Sequence, residues 1–220
     1  MPVGLVFVSH SARIAEGVVE LAAQMAPHVV LVPAGGTDDG GIGTSYDKVL
    51  AAIGEADGGS GVLLIGDLGS AILTAETAVD LLDEPPAGGV RVLDVPIVEG
   101  GVAAAVAAES GADLDAVARA ATGQPAAAEE STAEAGDGPA QATVVLADPE
   151  GLHARPAAAL VRLAARFDAR VTVNGADASS LLRVIALGLR HGEDVVVRAE
   201  GEQADQAIAA VVELLGGADR

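Results

Sequence analysis

Two of the four histidines in the chain stand where a strand or loop passes into a helix. His10 follows the apolar run VGLVFV and precedes apolar residues at helical spacing, and His153 comes just before a second helical pattern. A neutral imidazole, with a reference pKa of about 6.5, is a competent nucleophile toward phosphorus. The unpaired N–H groups of a helix amino terminus also stabilise phosphoryl oxygens. We therefore treat both histidines as candidate phosphoryl acceptors, against the alternative that His10 only caps or packs.

A carboxylate is predicted close to His10. Asp67 follows the apolar run GVLLIG, and parallel neighbouring strands bring their carboxyl ends together. The carboxylate could accept the proton of one imidazole nitrogen and leave the other nitrogen as the nucleophile. Ser70, at the start of the next helix, is predicted to cap that helix, with phosphoryl binding as the alternative. The glycine-rich loop 35–43 is expected to form a wall of the site.

The residues around His153 form a specific pattern, DPEGLHARPAAA. Arg155 falls in the first turn of the following helix, and Pro156 is tolerated there because first-turn amides have no helical partner. The planar guanidinium of an arginine can hold phosphoryl oxygens. The pattern therefore predicts a second phosphoryl site, in which Arg155 assists His153.

The other two histidines are predicted to be structural. His28 leads into the second strand after a proline, and His191 is expected at the carboxyl end of a helix, where it would complement the helix dipole. The chain has no cysteine, no histidine pair at helical spacing and no dense carboxylate loop beyond Asp38 and Asp39 among glycines. We predict neither a metal nor a cofactor.

Composition excludes several function classes. The 220 residues include 32 acidic and 12 basic ones, and the net charge of −20 repels nucleic acids and anionic lipids. Aromatic residues make up 1% of the chain, which leaves no stacking platform, and the only lysine, Lys48, follows no P-loop. No apolar stretch reaches the roughly 18 residues of a membrane helix, and no signal pattern is present. We expect a cytoplasmic protein.

The elements that position these residues follow from the hydrophobic pattern. Four strand-then-helix units predict parallel strands with right-handed crossovers and helices on both faces of the sheet. A short helix at about 114–121 closes the domain. We therefore predict an α/β domain with a doubly wound, mostly parallel sheet over residues 1–122.

A second domain is predicted after a linker. Residues 123–140 lack hydrophobic periodicity and consist mainly of Ala, Glu, Ser, Gly and Pro, as a flexible, solvated linker would. Residues 141–220 then show short strands mixed with two or three helices, which predicts a small α+β domain with helices on one face. Residues 1–122 hold 4 basic and 17 acidic residues, whereas residues 141–220 hold 8 and 11. An electrostatic encounter of the two domains is therefore allowed.

The second domain resembles the histidine phosphocarrier family HPr, through GLHARPAA, VNG and SSLLRVIALGLRHGEDVVVRAEGEQADQAIAAVVELL. The resemblance covers about residues 141–217 and implies an open-faced β-sandwich. It also implies that His153 carries phosphate on Nδ1 with Arg155 beside it. Ser180 falls where some family members have a regulatory serine, but Ser179 replaces the usual preceding basic residue, so we expect Ser180 to be a helix cap.

The first domain resembles the mannose-type enzyme IIA family, and more closely the phosphotransfer subunits of phosphoenolpyruvate-dependent dihydroxyacetone kinases. The matching stretches include LVFVSHSARIAEGVVELAAQM, GGIGTSYDKVLAAI and DLGSAILTAETAVDLL, and the similarity spans nearly all of residues 3–117. The resemblance implies a homodimer formed by this domain, with His10 phosphorylated at Nε2 and Asp67 as its orienting partner.

Together the two resemblances imply a phosphoryl relay. Enzyme I, phosphorylated by phosphoenolpyruvate, would phosphorylate His153, which would pass the group to His10. His10 would deliver it to ADP in the nucleotide-binding L subunit of the kinase, and dihydroxyacetone on the K subunit is the final acceptor. Some family members carry a partial enzyme I domain, which the sequence does not show, so a separate enzyme I is expected.

Two alternatives remain open from the sequence. One is a IIA component of a mannose-type sugar transporter, which would normally carry a IIB domain after the linker. The other is a regulatory phospho-sensor, which would accept a phosphoryl group without passing it on.

Overall fold

The structure is a computed structural model that describes residues 1–123 and 140–217. The chain divides into two compact units, Met1–Thr122 and Gly123–Arg220. The linker predicted over 123–140 lies outside the described residues except at its two ends, and that domain boundary stays a prediction. Within the described ranges, no helix combines the length and apolarity that crossing a bilayer requires.

The first unit alternates strands with helices and ends in one further helix. Its elements are β1 (Gly4–Ser9), α1 (Ala12–Ala23), β2 (Leu31–Gly35), α2 (Tyr46–Ala56), β3 (Val62–Gly66), α3 (Gly69–Asp80), β4 (Val90–Leu93), α4 (Ile97–Glu109) and α5 (Leu114–Ala121). All strand pairs are parallel, and the strand order is β2-β1-β3-β4. The predicted α/β fold with a mostly parallel sheet is confirmed.

Helices cover both faces of this sheet. Val6, Val8 and Leu64 belong to one core cluster together with apolar residues of α2 and α3. Phe7 points to the opposite face because successive side chains of a strand alternate. There α4 approaches so closely that a Cβ at Gly101 would lie 2.4 Å from the Phe7 ring. Burial from both sides explains why every residue of β1 and β3 is buried and why all of them except Ser9, at the end of β1, are apolar.

The register of β1 against β3 brings two chain segments out of the sheet side by side. Val8 lies opposite Gly66, and the N–H of Asp67 donates to the carbonyl of Val8 at 3.1 Å. His10 and Asp67 therefore leave the sheet at the same edge, where the carboxyl ends of the strands meet the amino ends of the following helices.

The second unit is built on an antiparallel sheet. Its elements are β5 (Ala140–Val145), α6 (Ala154–Ala164), β6 (Arg170–Val173), β7 (Ala176–Asp177), α7 (Leu181–Ala186), β8 (Asp194–Glu200) and α8 (Ala204–Leu215). The strand order is β5-β8-β6-β7. Every second residue of β8 is buried, as in a sheet that carries helices on one face only. The predicted open-faced α+β domain is confirmed.

Two local predictions in this unit need correction. The strand β7 has only two residues and was missed, because such a short segment shows no periodicity. His191 does not lie at a helix end as predicted: α7 ends at Ala186, and His191 is in the turn before β8. The helix stops early because Gly188 adopts a φ of +59°, a conformation that commonly ends helices.

Candidate active sites

His10 lies in the short connection between β1 and α1. Ser11 is the N-cap residue of α1, although its side chain makes no capping bond. The carbonyl of His10 accepts the N–H of Gly43 at 2.9 Å, and the carbonyl of Ser9 accepts the N–H of Gly36 at 3.0 Å. The His10 side chain is 22% exposed. The imidazole is thus held at a helix amino terminus and still open to solvent.

Asp67 binds both the ring and the backbone of His10. Its Oδ1 is 2.9 Å from Nδ1 of the ring. Its Oδ2 accepts the backbone N–H of His10 at 2.9 Å and the hydroxyl of Ser9 at 2.8 Å. Because an ionised carboxylate can only accept, the ring proton belongs on Nδ1, which leaves the lone pair of His10 on Nε2.

The surroundings of Asp67 favour its charged form. Burial raises the pKa of this carboxyl, but the hydrogen bonds from the His10 ring, the His10 backbone and Ser9 outweigh that effect. The pKa of Asp67 therefore lies below its ordinary value. At neutral pH the carboxylate is ionised and can hold the Nδ1 proton.

The prediction that Ser70 caps α3 is wrong. Leu68 is the N-cap residue of α3, and Ser70 is the second residue of the helix. The Ser70 hydroxyl instead lies 2.7 Å from Nε2 of His10. With the ring proton on Nδ1, the hydroxyl donates to Nε2. Ser70 therefore contacts the nitrogen that would attack phosphorus.

Lys48 supports the glycine-rich wall of the site, a role that the sequence interpretation missed. Its Nζ donates to the carbonyl of Gly35 at 3.0 Å and to that of Thr37 at 2.8 Å. The loop bends at Gly36, which has a φ of +72°. Because Gly43 of the same loop binds the His10 carbonyl, Lys48 helps to fix the backbone around the histidine. The position of Lys48, the only lysine, just after the glycine-rich loop is the sequence signal that could have predicted this role.

His153 occupies the N-cap position of α6, but its ring makes no capping bond. Its side chain is 39% exposed. The ring lies in an open depression of about 440 Å³, lined also by Arg155, Pro156 and the loop 148–150. His153 therefore presents its ring to solvent at the amino end of an 11-residue helix.

Two charged side chains line the same depression as this histidine. Arg155 is exposed, and the described residues offer it no ion-pair partner. The second is Glu150, with its Oε2 at 3.4 Å from Nε2 of His153. The sequence interpretation had singled out Arg155 but not Glu150, because a glutamate in a loop carries no pattern of its own.

The prediction that Ser180 caps α7 is only partly confirmed. It occupies the N-cap position of α7 as expected, yet its side chain makes no capping bond. The hydroxyl is buried, and it has no hydrogen-bond partner among the described residues. Only 2% of the residue is exposed, so the hydroxyl is not presented to solvent in this conformation.

Among the described residues, the two remaining histidines make no hydrogen bond or ion pair with His10 or His153. Glu109 accepts the backbone N–H of His28 at 3.0 Å and lies 2.6 Å from its Nδ1. His191 is exposed in the turn before β8. In residues 1–123 and 140–217, no three acidic or histidine side chains cluster closely enough to hold a metal ion.

Family models match both units. A model described as the PTS system fructose IIA component matches residues 4–118. A model described as the PTS HPr component phosphorylation site matches residues 140–216. Each match includes one of the two candidate histidines, His10 in the first and His153 in the second.

Known relatives match one unit or both. The phosphoryl donor subunit DhaM of a PEP-dependent dihydroxyacetone kinase from Klebsiella michiganensis is 39% identical over 94% of this chain and 49% of its own length. The phosphotransferase subunit DhaM from Lactococcus lactis is 37% identical over 53% of this chain and 91% of its own length. The phosphocarrier protein HPr of Haloferax volcanii is 42% identical over 33% of this chain and 89% of its own length. The chain spans about half the length of the Klebsiella relative.

Proposed function

This chain belongs to the family of phosphoryl donor subunits of phosphoenolpyruvate-dependent dihydroxyacetone kinases, and on that basis we propose that it relays phosphoryl groups between two histidines. His153 receives the group from enzyme I, which phosphoenolpyruvate phosphorylates. His10 takes the group from His153 and transfers it to ADP on the nucleotide-binding L subunit. The resulting ATP phosphorylates dihydroxyacetone on the K subunit.

The observation that carries this proposal is the arrangement of His10. Asp67 holds the proton on Nδ1, so Nε2 has its lone pair available for attack on phosphorus. In each transfer onto a histidine of this chain, the donor's N–P bond breaks and its electron pair returns to the donor ring, while the acceptor nitrogen forms a new N–P bond. In the last transfer the N–P bond of His10 breaks in the same way, and a β-phosphate oxygen of ADP forms the new P–O bond.

The surroundings of Nε2 suit a phosphoryl group. The hydroxyl of Ser70 is 2.7 Å away and could turn to donate to a phosphoryl oxygen. Gly69 and Ser70 are the first two residues of α3, and amides at such positions have no acceptor within the helix. Helix amino termini stabilise anions through these amides and the helix dipole.

The partners in this proposal are enzyme I, the L subunit and the K subunit, with a homodimer formed through the first unit. The relatives described above are dihydroxyacetone kinase subunits and a phosphocarrier. They do not favour the alternative of a sugar-transporter component. A phospho-sensor would accept a phosphoryl group without supporting turnover, so a complete assay distinguishes it from a relay.

A reconstituted reaction tests the proposal. The chain is mixed with enzyme I, phosphoenolpyruvate, ADP, both kinase subunits and dihydroxyacetone, and each component is omitted in turn. We expect His10→Ala to abolish dihydroxyacetone phosphorylation while His153 still becomes labelled, and His153→Ala to prevent labelling of both sites.

His28→Ala is the matched control, because that histidine also binds a carboxylate through its backbone N–H and Nδ1. Its activity should equal that of the unmodified chain. Turnover by the His10→Ala chain would contradict the proposed role of His10. Labelling without any turnover in the complete mixture would instead indicate a phospho-sensor.

A further inference from the structure

Glu150 contacts one particular nitrogen of His153. Its Oε2 lies 3.4 Å from Nε2, three residues before the histidine in the chain. At His10 the carboxylate of Asp67 contacts the other ring nitrogen, Nδ1. The two candidate sites thus place a carboxylate on opposite nitrogens of their imidazoles.

The loop that carries Glu150 is held in place by hydrogen bonds. The side chain of Asp148 accepts the N–H of Glu150 at 3.0 Å, and its carbonyl accepts that of Gly151 at 3.0 Å. Gly151 has a φ of +77°, and a Cβ there would lie 2.5 Å from the carbonyl oxygen of Leu189. These contacts fix the backbone at Glu150 relative to His153, although the glutamate side chain itself is 81% exposed.

We propose that Glu150 is a positioning residue for His153, which keeps the ring proton on Nε2 and so leaves Nδ1 as the phosphoryl acceptor. A carboxylate only accepts, so its presence beside Nε2 favours the tautomer with the proton there. The statement that Nδ1 accepts the phosphoryl group rests on the proposed function. The statement that Glu150 favours the tautomer with the proton on Nε2 holds whether or not the chain is a phosphoryl relay.

The effect is modest because the pair is exposed. A separation of 3.4 Å is longer than a strong charge-assisted hydrogen bond, and the Glu150 side chain is largely in solvent. Even fully charged pairs at exposed positions change an equilibrium by only about 1.4- to 5-fold, and the effect of Glu150 on the neutral ring is expected within that range. Glu150 therefore biases the tautomer of His153, whereas Asp67, which is 12% exposed, holds that of His10 more firmly.

Nitrogen NMR of the full chain tests the tautomer directly. Histidine is labelled with ¹⁵N, and spectra are recorded at alkaline pH, in the range where they no longer change with pH. We expect His153 to carry its proton on Nε2 and His10 on Nδ1 in the same spectrum. In Glu150→Ala, the ratio of the two His153 tautomers should shift toward Nδ1–H by about 1.4- to 5-fold.

Glu150→Gln and Glu202→Ala complete the set. Glutamine keeps the size of the glutamate side chain but has a weaker acceptor. In Glu150→Gln we therefore expect a shift of the His153 tautomer ratio between those of the unmodified chain and Glu150→Ala. Glu202 is an exposed glutamate before α8. At the far end of α8, the carbonyl of Leu215 accepts the N–H of Ala147, which lies next to the loop that carries Glu150. Because a helix rises 1.5 Å per residue, Glu202 is about 20 Å from that end of α8. Its removal should leave the tautomer ratio unchanged.

The outcomes separate this inference from the proposed function. An unchanged His153 tautomer in both Glu150 variants, or an equal shift in Glu202→Ala, overturns the positioning role. Phosphorylation by enzyme I and phosphoenolpyruvate is then mapped by NMR to one ring nitrogen. A shifted tautomer with no phosphorylation of the unmodified chain would leave the positioning role standing and contradict the relay. Phosphorylation of the unmodified chain on Nε2 of His153 would overturn the assignment of Nδ1.

Discussion

Both carboxylate oxygens of Asp67 bind His10: Oδ1 lies 2.9 Å from the ring nitrogen Nδ1, and Oδ2 accepts the backbone N–H at 2.9 Å. Glu109 binds His28 in the same two-point manner. The helices around the two histidines differ, however. His10 lies beside the amino ends of helices, whereas Glu109 is the last residue of α4. A helix carboxyl end repels an anion, so only the His10 arrangement suits a phosphoryl group.

Removal of the Asp67 carboxylate should slow phosphoryl transfer without abolishing it. Asp67→Ala loses control of the tautomer and orientation of the ring, but the nucleophile remains. We expect transfer from His153 to His10 to fall by about 10- to 100-fold, the size of effect seen when a group that orients a metal-binding histidine is removed. Rapid-quench labelling measures the rate. Asp94→Ala, which removes an exposed carboxylate just after β4, is the control, and an unchanged rate in Asp67→Ala would make Asp67 purely structural.

The lowered pKa of Asp67 predicts how stability depends on pH. The unfolded chain binds a proton at this carboxyl more readily than the folded chain, so the stabilising effect is complete above the unfolded value of about 3.9 and is lost as pH falls through the lower folded pKa. The difference in unfolding free energy between the unmodified chain and Asp67→Asn should therefore shrink as pH falls below about 4.

Tyr46 provides the signal for that measurement. It is the only tyrosine, the chain has no tryptophan, and it packs against the core of the first unit. Urea unfolding followed by Tyr46 fluorescence therefore reports on this unit alone. Asp39, whose pKa is also lowered, is present in both proteins and cancels in the comparison. A difference that widens toward low pH would contradict the prediction.

The hydroxyl of Ser70 should contribute modestly to phosphorylation of His10. Ser70→Ala removes a group 2.7 Å from Nε2 that could bind a phosphoryl oxygen. One such hydrogen bond contributes about 1 kcal/mol, so the transfer rate should fall by about 3- to 10-fold. Thr77→Val on the same helix is the control, because that hydroxyl donates to the backbone carbonyl of Leu73. A Ser70→Ala rate equal to that of the control would leave Ser70 without a role in transfer.

The fold was predictable because its signals are long and periodic. Apart from Ser9 at the end of β1, the buried strands β1 and β3 are uninterrupted apolar runs. The rule that parallel strands end at one edge places Asp67 beside His10. Shorter features were less accessible. Ser70 looked like a cap, but the chain already turns at Leu68, and nothing in the spacing shows that the hydroxyl faces a residue 60 positions away.

The second unit shows the same limit on a smaller scale. Ser180 stands at a helix start, yet its hydroxyl turns inward rather than to the backbone. The choice between these two orientations depends on packing against neighbouring elements, which a single sequence does not reveal. Contacts such as Glu150 with His153 depend on loop geometry, and loop geometry carries no periodicity.

The last prediction is that the two units can exchange phosphoryl groups as separate chains. Residues 1–122 carry 17 acidic and 4 basic residues, whereas α6 of the second unit carries Arg155 and Arg162, with Arg166 just beyond it. An acidic partner should therefore attract the arginine-bearing side of the second unit. We expect fragment 140–220, phosphorylated at His153, to label His10 of fragment 1–123.

The rate in trans should depend on concentration and salt. A covalent connection supplies effective concentrations of about 1 mM, so at about 10 μM the separate fragments should transfer about 100-fold more slowly than the intact chain. Raising the ionic strength should slow the fragments further by screening their attraction. Label transfer is measured across a concentration series, with fragment 1–123 carrying His10→Ala as the control. If no transfer occurs even at millimolar protein, the segment between the units must itself position them, because mass action alone would then have been sufficient.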